Sequence, residues 1–162
     1  MIELRMVEPT EQADLRPLAE AYWEELMPNA TVLKDRASRD RYFADSFRWE
    51  GEQDRPYWAL RSGERVGVVT LSRNGQSVYI DDFYVVPAAR RQGLGRQIVQ
   101  ALSTHFDRDG VTLIELNVRR DNPRALAFWE AMGFRIASYR LRQYRDPATG
   151  TAFIGGLSSD FV

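Results

Sequence analysis

Between a strand-like run, Ser77 to Val86, and a helical run, Ile98 to Phe106, lies the stretch Arg90-Arg91-Gln92-Gly93-Leu94-Gly95-Arg96. Glycines at a strand-to-helix turn let the chain bend tightly and let a ligand approach the backbone closely. The first turn of the helix that follows adds unpaired N–H donors and a positive dipole end. Gly93, Leu94 and Gly95 thus form an anion site built from main chain. Arg90, Arg91 and Arg96 add guanidinium forks suited to phosphate oxygens. The guest that suits this chemistry is a phosphorylated cofactor, above all one with a pyrophosphate.

Three loop types compete for these residues. A P-loop fails, because no Lys-Ser or Lys-Thr follows the second glycine. A dinucleotide fingerprint starts well at Gly93 and Gly95 and finds an acid at Glu115, but Ile98 fills the position where a small residue allows close helix–strand packing. The third type is R/Q-x-x-G-x-G/A, which Arg90-x-x-Gly93-x-Gly95 matches in full. Phe83-Tyr84-Val85-Val86-Pro87 precedes it as a strand ending in proline. Downstream, Asn122-Pro-Arg-Ala125-Leu-Ala-Phe128-Trp129-Glu-Ala-Met-Gly133-Phe134 is similar to N-x-x-A-x-x-F-Y-x-x-x-G-F. Together these blocks, Tyr79 to Phe134, resemble the GNAT superfamily of N-acetyltransferases.

The resemblance implies a single domain, 1–162, of α/β (α+β) class. Its sheet is mixed and mostly antiparallel, of about seven strands flanked by about four helices, and its fourth and fifth strands splay apart to admit a pantetheine arm. It implies acetyl-coenzyme A as co-substrate. The pyrophosphate would lie on N–H groups from about Arg91 to Arg96, where the side chains of Arg90, Arg91 and Gln92 matter less than the backbone. Pantetheine would pair along Phe83, Tyr84 and Val85 like an added strand. Asn122 would reach the cofactor, and Phe128 and Trp129 would line the cleft, although core packing explains Phe128 equally well.

The implied reaction is direct acetyl transfer to a primary amine, of a small molecule (polyamine-like, amino acid or aminoglycoside) or of a protein. The amine must shed a proton first, so a carboxylate is sought. Asp81, Asp82 and Glu115 are the candidates. By alternation Asp81 and Asp82 face opposite ways unless a bulge resets the register. Tyr79-Ile80-Asp81-Asp82-Phe83-Tyr84-Val85 resembles the Y-L-E-D-F-F-V stretch of polyamine acetyltransferases, which assigns Asp81 as base or water-positioner and Asp82 as contact to a cationic acceptor. A strand N–H, that of Val85, would donate to the oxyanion. Many members carry tyrosine where Trp129 stands, and indole cannot deliver a proton in this pH range. Either another tyrosine takes that role, with Tyr84, Tyr139 and Tyr144 as candidates, or the thiolate leaves with only water or hydrogen-bond assistance. A non-catalytic acyl-coenzyme A sensor of the same fold is the alternative, and a nucleotide-dependent oxidoreductase a third reading.

Composition narrows the field further. With 162 residues, 44% of them hydrophobic, the chain can bury one sizeable core. A formal net charge of −1 offers no global basic field for nucleic acid. Zero cysteines exclude disulfides and a thiolate nucleophile, and one histidine without clustered ligands argues against a metal. No apolar run is long enough to span a bilayer and the first residues lack a signal-peptide pattern, so a cytoplasmic protein is expected.

The elements that must position these groups follow from periodicity. Ile2, Leu4 and Met6 alternate as a strand; a helix capped by Thr10 runs to about Met27, where Pro28 and Asn29 stop it; and Lys34 to Phe47 reads as a second helix. Glu50 to Pro56 reads as a loop. Strands are expected at Pro56 to Arg61, Arg65 to Arg73 and Ser77 to Val86, turning at Ser62-Gly63 and Asn74-Gly75. Helix Gly93 to about Arg108 carries an apolar stripe, and Thr112 to Val118 reads as a strand covered on both faces. Asn122 caps the last helix and Gly133 ends it. Tyr139 to Tyr144 and Thr151 to Leu157 are expected as final strands, the last able to pair across a homodimer. His105 and the Tyr22-Trp23-Glu24-Glu25 cluster are explained by an ordinary helix surface, though the cluster could also shape an acceptor pocket.

Overall fold

The computed structural model describes residues 1–27, 35–47 and 54–141. They fall into two units, one of Met1–Asn117 and one that begins at Val118. The first holds strand β1 (Ile2–Met6), helices α1 (Gln12–Leu26) and α2 (Arg36–Ser46), strands β2 (Asp54–Arg61), β3 (Glu64–Asn74) and β4 (Ser77–Val85), helix α3 (Leu94–Arg108) and strand β5 (Leu113–Leu116). The second holds α4 (Pro123–Ala131).

Local chemistry accounts for most of these boundaries. A 3-10 turn at Pro9–Glu11 leads into α1, with the Glu8 N–H donating to Glu11 Oε2 at 3.1 Å. Thr10, expected as the cap, is therefore inside the turn. Asp35 caps α2, its carboxylate accepting from Ser38 N–H at 2.8 Å. Ser62 and Gly63, at φ of 52° and 81°, form the two-residue turn that pairs Arg61 with Glu64. The next hairpin turns on Gly75-Gln76, one residue later than expected, because Asn74 still pairs with Ser77. β2 begins at Asp54, so the end of the expected loop belongs to the sheet: Pro56 pairs with Thr70 and its carbonyl accepts from Val7 N–H at 2.9 Å.

The described residues form five strands, where about seven were expected; they lie in sequence order, antiparallel except for the parallel pair β4–β5. One face carries Trp58, Leu60, Val68 and Tyr84, packed under Leu15, Ala19 and Trp23 of α1, Phe43 of α2 and Phe47 at its C-cap. Trp23 and Trp58 are fully buried there; each such indole removes on the order of 150–250 Å² from water. On the opposite face α3 buries Leu94, Ile98, Leu102 and Phe106, the expected stripe. β5 is shorter than expected and Leu113 and Glu115 on it are exposed, so it is not a strand covered on both faces.

In the second unit, Asn122 Oδ1 accepts from Ala125 N–H at 3.0 Å and Pro123 opens α4. Gly133, at φ 98°, turns the chain so that Phe134 N–H reaches Trp129 O at 3.1 Å, a helix stop of the kind the sequence announces. Residues 139–141 form no strand. Pro28, Asn29, Lys34, Tyr144 and the expected strand Thr151 to Leu157 lie outside the described residues.

Candidate active site

β4 carries the site, and its ladders explain why. Beside β5 it pairs only from Ser77↔Leu113 to Ile80↔Leu116; from Asp81 to Val85 it runs on past the end of β5. This is the opening expected between the fourth and fifth strands. On the other side, β4 pairs with β3 throughout, but the register slips: Leu71 faces Ile80 while Thr70 faces Asp82. Asp81 is the extra residue of a β-bulge.

The bulge settles where the two carboxylates point. Asp82 stands across from Thr70, and Asp81 accepts a hydrogen bond from the Ser72 hydroxyl. Thr70 and Ser72, two apart on β3, share a face. Asp81 and Asp82 therefore share it too, where simple alternation would have set them apart. Glu115, across from Tyr79, lies on the same face by register but is exposed.

The environments of the pair differ. Asp81 is exposed beside Ser72. Asp82 is half-buried, and burial pushes its carboxyl up to about 6, against the lowering influence of the Thr70 and Tyr22 hydroxyls and with a further upward push from Asp81. Thr70 Oγ1, across from Asp82, is itself buried without a hydrogen-bond partner among the described residues. The Tyr22 phenol, raised by burial and by Asp82, also receives the backbone N–H of Phe83. Tyr42 adds a second phenol near Asp82, raised first by burial and then by that carboxylate.

At the end of β4, Val86 N–H donates to Val66 O at 3.0 Å, so the N–H and C=O of Val85 point the other way, off the sheet edge. Gly67, opposite Val85, permits this close approach: a Cβ there would fall 2.3 Å from Tyr84 O. Sequence reasoning passed over Gly67, although a glycine inside a run of valines was the available signal.

The loop follows at once. Arg91 adopts φ 63° and Gly93 φ 74°, and Gly93 is the N-cap of α3. A Cβ on Gly93 would meet only open space, so the backbone there is accessible. The first N–H groups of α3, from Leu94, Gly95 and Arg96, have no acceptor within the helix. Arg91 and Arg96 are exposed and form no ion pair among the described residues. An open left-handed glycine, a helix start and two unengaged guanidiniums fit a pyrophosphate.

Two loop side chains are engaged elsewhere. Gln92 donates to Ala88 O at 3.1 Å and accepts from Arg61 at 3.0 Å. Arg90 is folded back: Nε donates to Val85 O at 2.7 Å and Nη2 to Glu25 Oε1 at 2.9 Å, with the guanidinium 5.2 Å from the Tyr84 ring centre. Arg90 is thus not the free phosphate fork expected. Within the α1 cluster, Trp23 is core, Glu24 pairs with Arg39 at 2.8 Å and Glu25 accepts from Tyr84 and Arg90.

The Tyr84 hydroxyl is committed to Glu25 at 3.1 Å. In the second unit, Asn122 uses its side-chain oxygen as a helix cap. Phe128 is half-buried and Trp129 buried, the indole edge-on to Phe128 and Phe134 at 5.1 Å each. Tyr139 is exposed. A cavity of about 290 Å³ on the opposite face of the sheet, lined by Leu71, Val78, Phe106 and the Arg73–Asp109 pair, contains none of the candidate residues. Among the described residues no cluster of three metal ligands occurs, and no helix is long and apolar enough to cross a membrane.

The Acetyltransferase (GNAT) family matches residues 15–134. The chain is 31% identical over 113 residues to the [ribosomal protein bS18]-alanine N-acetyltransferase of Escherichia coli, spanning 62% of this chain and 74% of that one. It is 35% identical over 91 residues to the N-alpha-acetyltransferase RimI of Mycobacterium tuberculosis, 54% of this chain and 56% of that one. The fold is shared with the PaiA N-acetyltransferase of Thermoplasma acidophilum, solved in complex with coenzyme A, at a TM-score of 0.68 and 14% identity over 86% of this chain and 93% of that one. The chain belongs to the GNAT family, N-acyltransferases that draw their acetyl group from acetyl-coenzyme A.

Proposed function

We propose that the chain acetylates the α-amine at the N-terminus of a protein or peptide, with Asp82 as the proton acceptor. The observation that carries this reading is the half-buried Asp82 carboxyl, raised to about 6 on the bulge of β4, three residues before the outward N–H of Val85.

Acetyl-coenzyme A, when bound, supplies the acetyl group as an activated thioester. The main chain from Gly93 to Arg96, with Arg91 and Arg96, would hold its phosphates, and the β4 edge beyond Ile80 its pantetheine. Val85 N–H would donate to the thioester oxygen. Asp82 takes the proton that the acceptor's ammonium must lose. On this reading the roles the resemblance implies are exchanged: Asp81, exposed beside Ser72, is the neighbouring charge, and Asp82 the base.

The acid–base match favours an α-amine. At neutral pH, neutralising an α-ammonium of pKa about 7.7–8.0 costs about 1 kcal/mol, against about 4.6 kcal/mol for a lysine ammonium of about 10.4. A base near 6 serves the first far better than the second. The relatives above, named for ribosomal-protein alanine and N-alpha acetylation, support the same choice.

A thiol-release assay tests it with three acceptors: an Ala-initiated peptide, the same sequence N-blocked but bearing a lysine, and an aminoglycoside. The free α-amine is expected to give a kcat/KM at least about 100-fold above the lysine peptide, from the cost difference just given, and above the aminoglycoside. Equal or better turnover of lysine or aminoglycoside would overturn it.

A further inference from the structure

We propose that Arg90 is a positioning residue, held by Glu25 on α1, that fixes the end of β4 and so aims the N–H of Val85. It is not a phosphate ligand. The inference rests on the reading above that this N–H faces the thioester.

The geometry holds Arg90 from three sides. Its Nε donates to Val85 O at 2.7 Å, Nη2 to Glu25 Oε1 at 2.9 Å, and its guanidinium lies over Tyr84, 5.2 Å from the ring centre. The same Glu25 oxygen accepts from the Tyr84 hydroxyl at 3.1 Å. Tyr84 and Arg90 thus both donate to one carboxylate at the end of α1, and Arg90 passes the restraint on to the Val85 carbonyl.

As an ion pair alone this arrangement would contribute little. Glu25 and Arg90 are 48% and 38% exposed, and exposed pairs are worth about 0–1 kcal/mol. Its consequence lies in what the Nε bond restrains. β5 has ended at Leu116, so no strand among the described residues flanks β4 at Val85, where the carbonyl points off the sheet edge. On the β3 side Val85 is opposed by Gly67, which offers no side chain to hold it. The Arg90 bond replaces the missing ladder contact at the carbonyl and sets the tilt of the residue whose N–H shares that edge. A hydrogen bond to a charged donor suits the task, being shorter and stiffer than a neutral one.

The loop guanidiniums therefore divide into two classes. Arg91 and Arg96 are exposed without partners among the described residues and are free to meet phosphate, while Arg90 is committed to Val85 and Glu25.

The test compares Arg90→Gln, Glu25→Gln, their double variant and Arg96→Gln. Three quantities are read: the Kd of coenzyme A by calorimetry, kcat and KM with the peptide acceptor, and the thioester carbonyl stretch of bound acetyl-coenzyme A labelled with carbon-13. Thermal melts check folding, and Arg90→Lys, which keeps the charge but not the fork, replaces Arg90→Gln if that variant does not fold. In the wild type the carbonyl band should sit below its free frequency. Arg90→Gln should return it towards free and lower kcat about tenfold, with Kd changed by less than about threefold. Glu25→Gln should act in the same direction, and the double variant should be no worse than Arg90→Gln alone. Arg96→Gln should instead weaken coenzyme A about fivefold or more and leave the band in place.

A tenfold loss of coenzyme A affinity in Arg90→Gln with an unmoved band would overturn the proposal, as would wild-type values of all three quantities. A wild-type band at the free frequency would instead remove the Val85 donor reading on which it stands.

Discussion

The Tyr22 phenol stands against the Asp82 carboxyl and so ties α1 to the bulge of β4. Two opposing effects meet at this contact. Burial favours the neutral acid, whereas the neighbouring hydroxyls of Thr70 and Tyr22 favour the carboxylate, and burial dominates, leaving the group at about 6. Tyr22 also receives the N–H of Phe83, so one side chain of α1 orders both the base and the strand beside it.

Removing the proton acceptor should leave binding and remove turnover. Asp82→Asn, which keeps shape and most hydrogen bonds, is expected to lower kcat/KM by about 10²–10⁴ while the Kd of coenzyme A changes little. Wild-type activity should rise with pH through about 6 as Asp82 ionises, and that limb should be absent from the variant's residual rate. Steady-state pH profiles check both. An unchanged limb in Asp82→Asn would assign it to another group, with Asp81 and Glu115 next in line.

The same carboxyl should penalise stability in a definite pH window. Its folded pKa, about 6, lies above the ordinary 3.8, so it costs nothing below about pH 4, where it is protonated folded and unfolded alike; the penalty grows as pH rises from about 4 to 6 and is full above that. Asp82→Asn should therefore stabilise the protein most at about pH 8 and least at about pH 4. A shift of this size bounds the gain at about 3 kcal/mol, less what solvent screens at a half-buried site. Urea melts at the two pH values give the difference directly; a larger gain at the acid end would contradict the sign.

How far the sequence revealed the site depended on how local each signal was. Gly93 before a helix, Asn122 as a cap and Gly133 as a stop act through residues within one turn of themselves, and each is found in its place. The common face of Asp81 and Asp82 was not legible, because a bulge is a relation between β4 and β3 and leaves no mark on β4 alone. Nor was the fate of Arg90, whose partner Glu25 lies 65 positions away in sequence. Burial of Asp82 likewise depends on Tyr22 and Tyr42, which only the packed α1 and α2 bring to the sheet.

Gly67 should prove intolerant of even one added carbon. A Cβ there would meet Tyr84 O at 2.3 Å, a backbone atom that cannot swing aside as a side chain would. Gly67→Ala must push β3 and β4 apart just where Val85 presents its N–H. A destabilisation of about 1–3 kcal/mol is expected. Because the displacement falls at Val85, kcat should fall as well in the fraction that remains folded. Gly63→Ala serves as a control: its Cβ would enter open space, at a turn distant in register from Val85, so only the strain of its positive φ is at issue.

Gly93 offers a way to separate backbone strain from electrostatics at the phosphate loop. Its φ of 74° disfavours any side chain, at about 1–2 kcal/mol, yet a Cβ would meet no protein atom within 4 Å. Gly93→Asn and Gly93→Asp should therefore both fold, with a melting temperature lowered by about 2–4 °C per kcal/mol. Asparagine and aspartate have nearly the same shape and similar tolerance of this backbone region, so the difference between them reports charge. If the pyrophosphate lies on this turn, both variants should weaken coenzyme A, and Asp should exceed Asn by about tenfold, the effect of a charge a few ångströms away in partly screened surroundings. Raising the salt should narrow that gap. Equal affinities for the two variants would place the phosphates away from Gly93, however well the loop fits them.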